Sequence, residues 1–339
     1  MAAAAATTCS SCRRTRPALP APAAALVVAL LAAVLGASAG AGQQLDVGYY
    51  SKTCPAAEDI VRNETAAAVR ESPDLAAALL RLHYHDCFVQ GCDASVLLDS
   101  TPGNTAEKDA MPNGSLRGFD LVARVKDHLE TACPATVSCA DILALMARDA
   151  VALSKGPSWP VALGRRDGRT SAAATCAQLP PLRGDINLLL QAFAAKGLDA
   201  RDLVVLSGAH TLGKAHCPSY ADRLYPSSAD PALDARYVDR LRMRCNAGDS
   251  NSTSELDPGS CVTFDTSYYR HVARRRGLLR SDAYLMDHRF TRAYVLQAAS
   301  GRYDGHFFHD FAVSMAKMAS IGVLTGDQGE IRTKCNVVN

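Results

Sequence analysis

Residues 74–89 read DLAAALLRLHYHDCFV, an apolar run interrupted by groups able to move protons. On a helix, positions i, i+3 and i+4 share a face, so Arg81, Tyr84 and His85 project together while His83 points elsewhere. A fixed cation beside a base that titrates near neutrality suits proton transfer next to developing negative charge. A buried arginine with a core histidine gives the same pattern, so this segment decides nothing alone. Asp86 follows at once, then Gly91-Cys92-Asp93-Ala94-Ser95. Asp and Ser oxygens at short spacing in a glycine-containing loop can hold calcium, or can form a solvated Asx turn. Cys87 and Cys92 flank that turn and would close a small stiff loop, which favours a metal clip at the helix end.

Two further segments carry candidate ligands. In LVVLSGAHTLGKAHC, residues 203–217, an apolar helix breaks at Gly208 and His210 follows with Thr211. A histidine after a small-residue break can approach a flat cofactor; haem iron would need such a ligand with a carboxylate behind it. Taken alone it is a single histidine of the structural kind. In DPGSCVTFD, residues 257–265, Asp257, Ser260 and Asp265 supply oxygens that Thr211 could join, and a plain turn is the alternative. Asp282 is one carboxylate, uninterpretable by itself. His128, His216, His271, His288, His306 and His309 have no ligand-like context and are expected at the surface or in the core.

The elements that must position these groups are mostly helical. Residues 118–131 place Phe119, Val122, Val125 and Leu129 on one face, and 139–154 repeat the stripe with Asp149 interrupting it. Asp185 can cap a helix that ends at Gly197; others are predicted over about 200–207 and from Asp310 to Ser320. Short strands near Val161 and Ala283 are the expected β content, giving a mainly α protein.

Length and composition bound the reading. The chain has 339 residues, enough for one large or two intimate domains. Arg13, Arg14 and Arg16 precede an apolar run from Ala23 to Ala33 and small residues through Ala41, the pattern of a removable signal peptide over 1–42. The run is too short to favour a spanning helix. Without it, Lys plus Arg falls from 36 to 33 against 34 Asp plus Glu, so the mature charge is about −1. No electrostatic footprint for nucleic acid remains. Arg274–Arg276, the densest basic run, is read as a solvated helix end. Cys9 and Cys12 leave with the signal, and an even set of ten cysteines behind a secretion signal reads as disulfides rather than zinc. Asn63, Asn113 and Asn251 open glycosylation sequons.

The mature chain resembles the class III secretory plant peroxidases over its whole length, from LDVGYYSKTCP to TKCNVVN. RLHYHDCFVQGCDAS, LSGAHTLGKAHC, WPVALGRRDGR and SCADILALMARDAV carry the resemblance through their order and spacing. It implies a single domain over 43–339, with a distal half of roughly 43–180 and a proximal half of roughly 181–339 sandwiching haem b (iron protoporphyrin IX). It further implies an enzyme that reduces hydrogen peroxide and oxidises small phenolic donors in one-electron steps. His210 would be the iron ligand and Asp282 its hydrogen-bond partner; His85 would be the distal base, with Arg81 stabilising the charge that separates across the O–O bond. Asn113 would fix the tautomer of His85, leaving its sequon silent. One calcium would use Asp86, Val89, Gly91, Asp93 and Ser95, with Glu107 behind a water. A second would use Thr211, Asp257, Ser260, Thr263 and Asp265. The implied disulfides are Cys54–Cys133, Cys87–Cys92, Cys139–Cys335 and Cys217–Cys245.

Some positions depart from the family. Tyr84 replaces the usual Phe. In the access channel, Pro180 matches the proline whose carbonyl meets the donor, whereas Leu182 replaces a second proline. Cys176 and Cys261 exceed the family's eight, and a fifth disulfide between them is the expectation, two free thiols being the alternative. The chain stops four residues past Cys335, which points to cell wall or apoplast rather than vacuole. The resemblance also implies a monomer, free of membrane once the signal is gone. Three rivals are weaker. A silent, calcium-stabilised wall protein would not keep Arg81, His85, Asn113, His210 and Asp282. An intracellular ascorbate-type enzyme would not carry the cysteines and the signal, or its single tryptophan at Trp159. A zinc hydrolase would need an H-E-x-x-H pattern, which is missing.

Overall fold

The helices form where the sequence supplies caps and a stripe. Ser138 accepts from the Asp141 amide at 3.1 Å, Asp185 from the Asn187 and Leu188 amides, and Asp199 forms a reciprocal box with Asp202. The computed structural model describes residues 44–225 and 230–339; the expected signal peptide lies outside the described residues. Among these are α1 (Ala57–Glu71), α2 (Leu75–Val89), α3 (Phe119–Ala132), α4 (Cys139–Leu153), α5 (Ile186–Ala194) and α6 (Ala200–Ser207). There follow α7 (Ala235–Arg242), α8 (Ser267–Ala273), α9 (Arg280–Tyr284), α10 (Arg289–Ala298) and α11 (Asp304–Met318). Among the described residues the strands are two antiparallel pairs, β1 (Asp46–Val47) with β2 (Ala162–Leu163) and β3 (Lys214–His216) with β4 (Thr253–Glu255).

The helices sort into two packing groups. Helix α4 is buried from Cys139 to Val151 and lies against α1, α2 and α3; α6 packs on α5, α10 and α11, and α8 on α10. A helix buried on all sides needs partners for its charges. Asp141 accepts from Tyr50 at 2.8 Å, Arg165 Nη1 at 2.7 Å and the Gly164 amide at 2.7 Å, while Asp149, the break in the stripe, pairs with Arg148 Nε at 2.8 Å. One apolar cluster runs from Tyr50 to Cys335 through both groups.

Two expected elements differ. The segment around Ala283 is helix α9, because the Asp282 carboxylate turns back to accept from the Leu279 amide at 2.8 Å and opens a helical turn. The last helix begins six residues before the predicted start at Asp310, whose side chain faces inward to Arg201 and Tyr294. The four implied disulfides are formed. The fifth is not: Cys176 and Cys261 are free thiols. Cys176 packs on Val89 and Ala110 in the first helical group, whereas Cys261 sits in the turn whose carbonyl accepts from the Gly213 amide, so the even count misleads.

Candidate active site

Helix α2 brings Arg81, Tyr84 and His85 to one side, as the spacing requires. Arg81 is tied down at three points: Nη1 donates to Ser115 Oγ at 2.9 Å, Nη2 to the Pro112 carbonyl at 3.0 Å, and Nε to His85 Nε2 at 3.2 Å. On the other side of the ring, His85 Nδ1 lies 2.6 Å from Asn113 Oδ1. The Asn113 amide is oriented by its Nδ2, which donates to the Glu107 carbonyl at 2.7 Å and towards Cys176 Sγ at 3.5 Å. These contacts fix the tautomer. A guanidinium can only donate, so Nε2 of His85 carries the lone pair and Nδ1 carries the proton. Burial, and then the Arg81 charge, push the His85 pKa down to about 3, so the ring is a neutral acceptor at neutral pH. Tyr84 packs against Phe88, with ring centroids 4.6 Å apart, and burial raises its phenol well above the ordinary value. His83 is buried beside Cys87, away from these groups.

His210 is held differently. The chain leaves α6 through a tight turn over Gly208–Thr211, where a Cβ on Gly208 would lie 2.5 Å from the Tyr269 hydroxyl and 2.6 Å from Phe307. Close packing, rather than an unusual backbone angle, demands the glycine. His210 Nδ1 then meets Asp282 Oδ1 at 2.8 Å. Asp282 is 1% exposed, yet its pKa is held below the ordinary value. Burial alone would raise it; the His210 contact and the hydrogen bonds from the Leu279 amide and Tyr268 outweigh that. An ionised Asp282 makes His210 Nδ1 the protonated nitrogen and leaves Nε2 free to bind.

Comparison with known proteins places the chain in a family. The family profile described as Peroxidase matches residues 61–301. Peroxidase 1 of Oryza sativa subsp. japonica is 56% identical over 325 residues, 93% of this chain and 98% of that protein. Peroxidase 27 of Arabidopsis thaliana is 50% identical over 318 residues, with the same coverage, and its Peroxidase 56 is 49% identical over 303 residues, 88% and 91%. The chain belongs to the class III plant peroxidases. It is therefore an oxidoreductase of the haem-dependent, mainly α kind.

The peroxidase gathers two oxygen-rich clusters beside these histidines. In the first, Asp86 Oδ2 accepts from the Ala94 amide at 3.1 Å, while Oδ1 is buried with no hydrogen-bond partner. Asp93, 8% exposed, accepts from the Ser95 amide, and Glu107 accepts from Gln90 at 2.7 Å and Ser95 Oγ at 3.3 Å. Burial, and then repulsion from Asp93, raise the pKa values of Asp86 and Glu107, the latter to about 7. Gly91, at φ +144°, lies where a Cβ would strike the Gly322 carbonyl at 2.5 Å, which locks the loop to the chain near its end. Val89 is the exception in this set: its carbonyl already accepts from Lys196 Nζ at 2.8 Å.

In the second cluster, Thr211 Oγ1 donates to Asp257 Oδ2 at 2.9 Å, near the Thr263 carbonyl, and Ser260 Oγ donates to Asp265 Oδ2 at 2.6 Å. Asp257 Oδ1 is buried without a hydrogen bond, with His271 Nε2 3.4 Å away; burial and then the neighbouring arginines hold the His271 pKa below the ordinary value, so this ring does not neutralise the carboxylate. Burial, and then Asp265, raise the Asp257 pKa to about 6. Among the described residues, no three His, Cys, Asp or Glu converge as a metal cluster. A cation in either place would thus draw on hydroxyl and carbonyl oxygens, the donors of a hard ion.

Three further positions named from the sequence lie as follows. Asn113 is 2% exposed, so its sequon faces inward. Pro180 is half-buried just after the turn carrying Cys176, and Leu182 is 63% exposed. Tyr268, Ser115, Gln90 and Ser267 also touch the functional groups, and no sequence signal marks them. Each meets its partner across 10 to 34 residues of chain, beyond the reach of helical or strand spacing.

Proposed function

We propose that this peroxidase binds haem b through His210 Nε2, reduces hydrogen peroxide, and oxidises small phenolic donors one electron at a time. It does so as a secreted monomer of the cell wall, its two halves spanning roughly 43–180 and 181–339. One observation carries the reading: the two histidines are tied in opposite ways. His85 Nδ1–H rests on a neutral amide, which keeps the ring a weak base able to take a proton and release it. His210 Nδ1–H rests on a buried carboxylate, which makes its other nitrogen a strong donor suited to iron.

When bound, haem supplies the redox chemistry. The side chains do the rest. His85 Nε2 takes a proton from peroxide and returns it to the departing oxygen. Arg81, fixed by Ser115 and the Pro112 carbonyl, lies beside that nitrogen and stabilises the negative charge that separates across the O–O bond. Asn113 holds the proton at Nδ1 and so keeps Nε2 open. The Tyr84 ring and the Pro180 channel restrict how donors approach.

Two calcium ions complete the reading. One would be held by Asp86, Gly91, Asp93 and Ser95, with Val89 sharing its oxygen and Glu107 behind. The other would be held by Thr211, Asp257, Ser260, Thr263 and Asp265. The buried oxygens of Asp86 and Asp257 that lack hydrogen bonds support both sites. The test is peroxide-dependent turnover of coniferyl alcohol and ferulate by the secreted protein. His85→Leu should keep the haem and lose ~10²–10⁴ in the peroxide step. A loss under about tenfold, or no turnover of any phenol by the wild type, contradicts the assignment.

A further inference from the structure

Asp282 accepts three hydrogen bonds, and only one comes from His210. The Leu279 amide takes Oδ2 at 2.8 Å. Oδ1, the oxygen that faces His210 Nδ1 at 2.8 Å, also accepts from the Tyr268 hydroxyl at 2.8 Å. Tyr268 is fully buried on α8, with its ring edge-on to the imidazole and centroids 5.9 Å apart. Among the described residues its hydroxyl has no other partner. A phenylalanine would fill nearly the same space, so packing alone does not call for the phenol.

An oxygen shared by two donors has less negative charge to offer each. We propose that Tyr268 is a positioning residue that limits how strongly Asp282 draws the Nδ1 proton of His210, and so sets the donor strength of the iron ligand. The proposal rests on the reading of His210 as that ligand. Without the phenol, Asp282 would pull harder on Nδ1–H, the imidazole would donate more electron density, and the ferric state would be favoured over the ferrous.

The test uses the haem-loaded protein. The ferric/ferrous potential is measured by spectroelectrochemistry, and the iron–histidine stretch of the ferrous form by resonance Raman, for the wild type and Tyr268→Phe. The variant should show a more negative potential, by roughly threefold to tenfold in the reduction equilibrium, at most ~59 mV for one electron. Its stretch should move to higher frequency. Unchanged values, or a positive shift, overturn the proposal. If Tyr268→Phe yields no folded holoprotein, 3-fluorotyrosine placed at position 268 decides. Its phenol is a stronger donor of nearly the same volume, so the potential should become more positive, and no shift overturns the idea. A wild-type protein with no haem defeats the underlying reading instead, and is recognised before any variant is compared.

Discussion

Replacing Asn113 separates its orienting role from simple packing. His85 is 6% exposed and Asn113 2% exposed, so the 2.6 Å contact between Nδ1 and Oδ1 is closed to water. Asn113→Val leaves the Nδ1 proton without an acceptor. A buried donor stranded in this way costs ~1–3 kcal/mol. At about 1.4 kcal/mol per factor of ten, this corresponds to ~5- to 150-fold in the bimolecular rate constant with hydrogen peroxide if the whole cost falls on the oriented state. The Glu107 carbonyl loses a partner too, but it is not part of the proton path. Stopped-flow absorbance with excess peroxide reads this constant directly, and the Soret band checks that haem is retained.

Asn113→Asp supplies the second arm. A carboxylate on Nδ1 favours the protonated ring and raises the His85 pKa from its depressed value near 3 towards neutrality. The base is then blocked at pH values below that raised pKa and freed above it. The rate loss of Asn113→Asp should therefore grow as pH falls and fade as pH rises, whereas that of Asn113→Val should stay flat. A rate for Asn113→Val within twofold of wild type would refute the reasoning, as would identical pH profiles for the two variants.

Further outcomes follow from the same structure. Chelation with EGTA should lower the melting temperature, and calcium should restore it; occupancy at 100 Kd is worth ~2.7 kcal/mol per site, and a chelator-insensitive melt without protein-bound calcium would contradict the two clusters. Asp202→Asn should destabilise by ~1–2 kcal/mol at pH 6, since the carboxylate caps α6 and accepts from Ser314 and Lys317. Burial alone would raise the Asp202 pKa, but those bonds hold it below the ordinary value, so its contribution is present above the unfolded pKa of ~3.9 and lost as pH falls through the folded one. The gap between Asp202→Asn and wild type in thermal melts should thus begin to narrow below about pH 4 and go on narrowing as pH falls; a gap that stays constant or widens from about pH 4 into the acid range would refute this. Glycopeptide mapping should find a glycan at Asn251, where Asn251 and Thr253 are both exposed, and none at Asn113; occupancy at Asn113 would be incompatible with its inward position.

How much of this was legible in the sequence depends on how local the physics is. Arg81 and His85 share a face because helical spacing dictates it, and the 139–153 helix shows itself through its apolar stripe. The last helix starts six residues before the expected Asp310, whose contacts with Arg201, 109 residues away, and Tyr294 are not visible in local spacing. Ala283 misled because five residues carry too little periodicity to tell a helix from a strand, and the deciding contact is Asp282 reaching back to Leu279. The roles of Asn113, Asp282 and Glu107 came from the family resemblance rather than from spacing. Tyr268 stayed invisible because nothing in SYYRHV announces a phenol 58 residues from His210 that shares its carboxylate. Cys176 and Cys261 show the limit of counting, since an even number says nothing about which sulfurs meet.

The measurement that bears most directly on the central claim is the ligation of haem by His210. Pyridine haemochromogen assay of the purified protein should give one haem b per chain, and the ferrous protein should show an iron–histidine stretch in resonance Raman. His210→Gly with added imidazole should recover that band, and without imidazole the band should be gone. A wild-type protein free of tetrapyrrole, or a His210→Gly protein whose iron–histidine band persists unaided, would contradict the account.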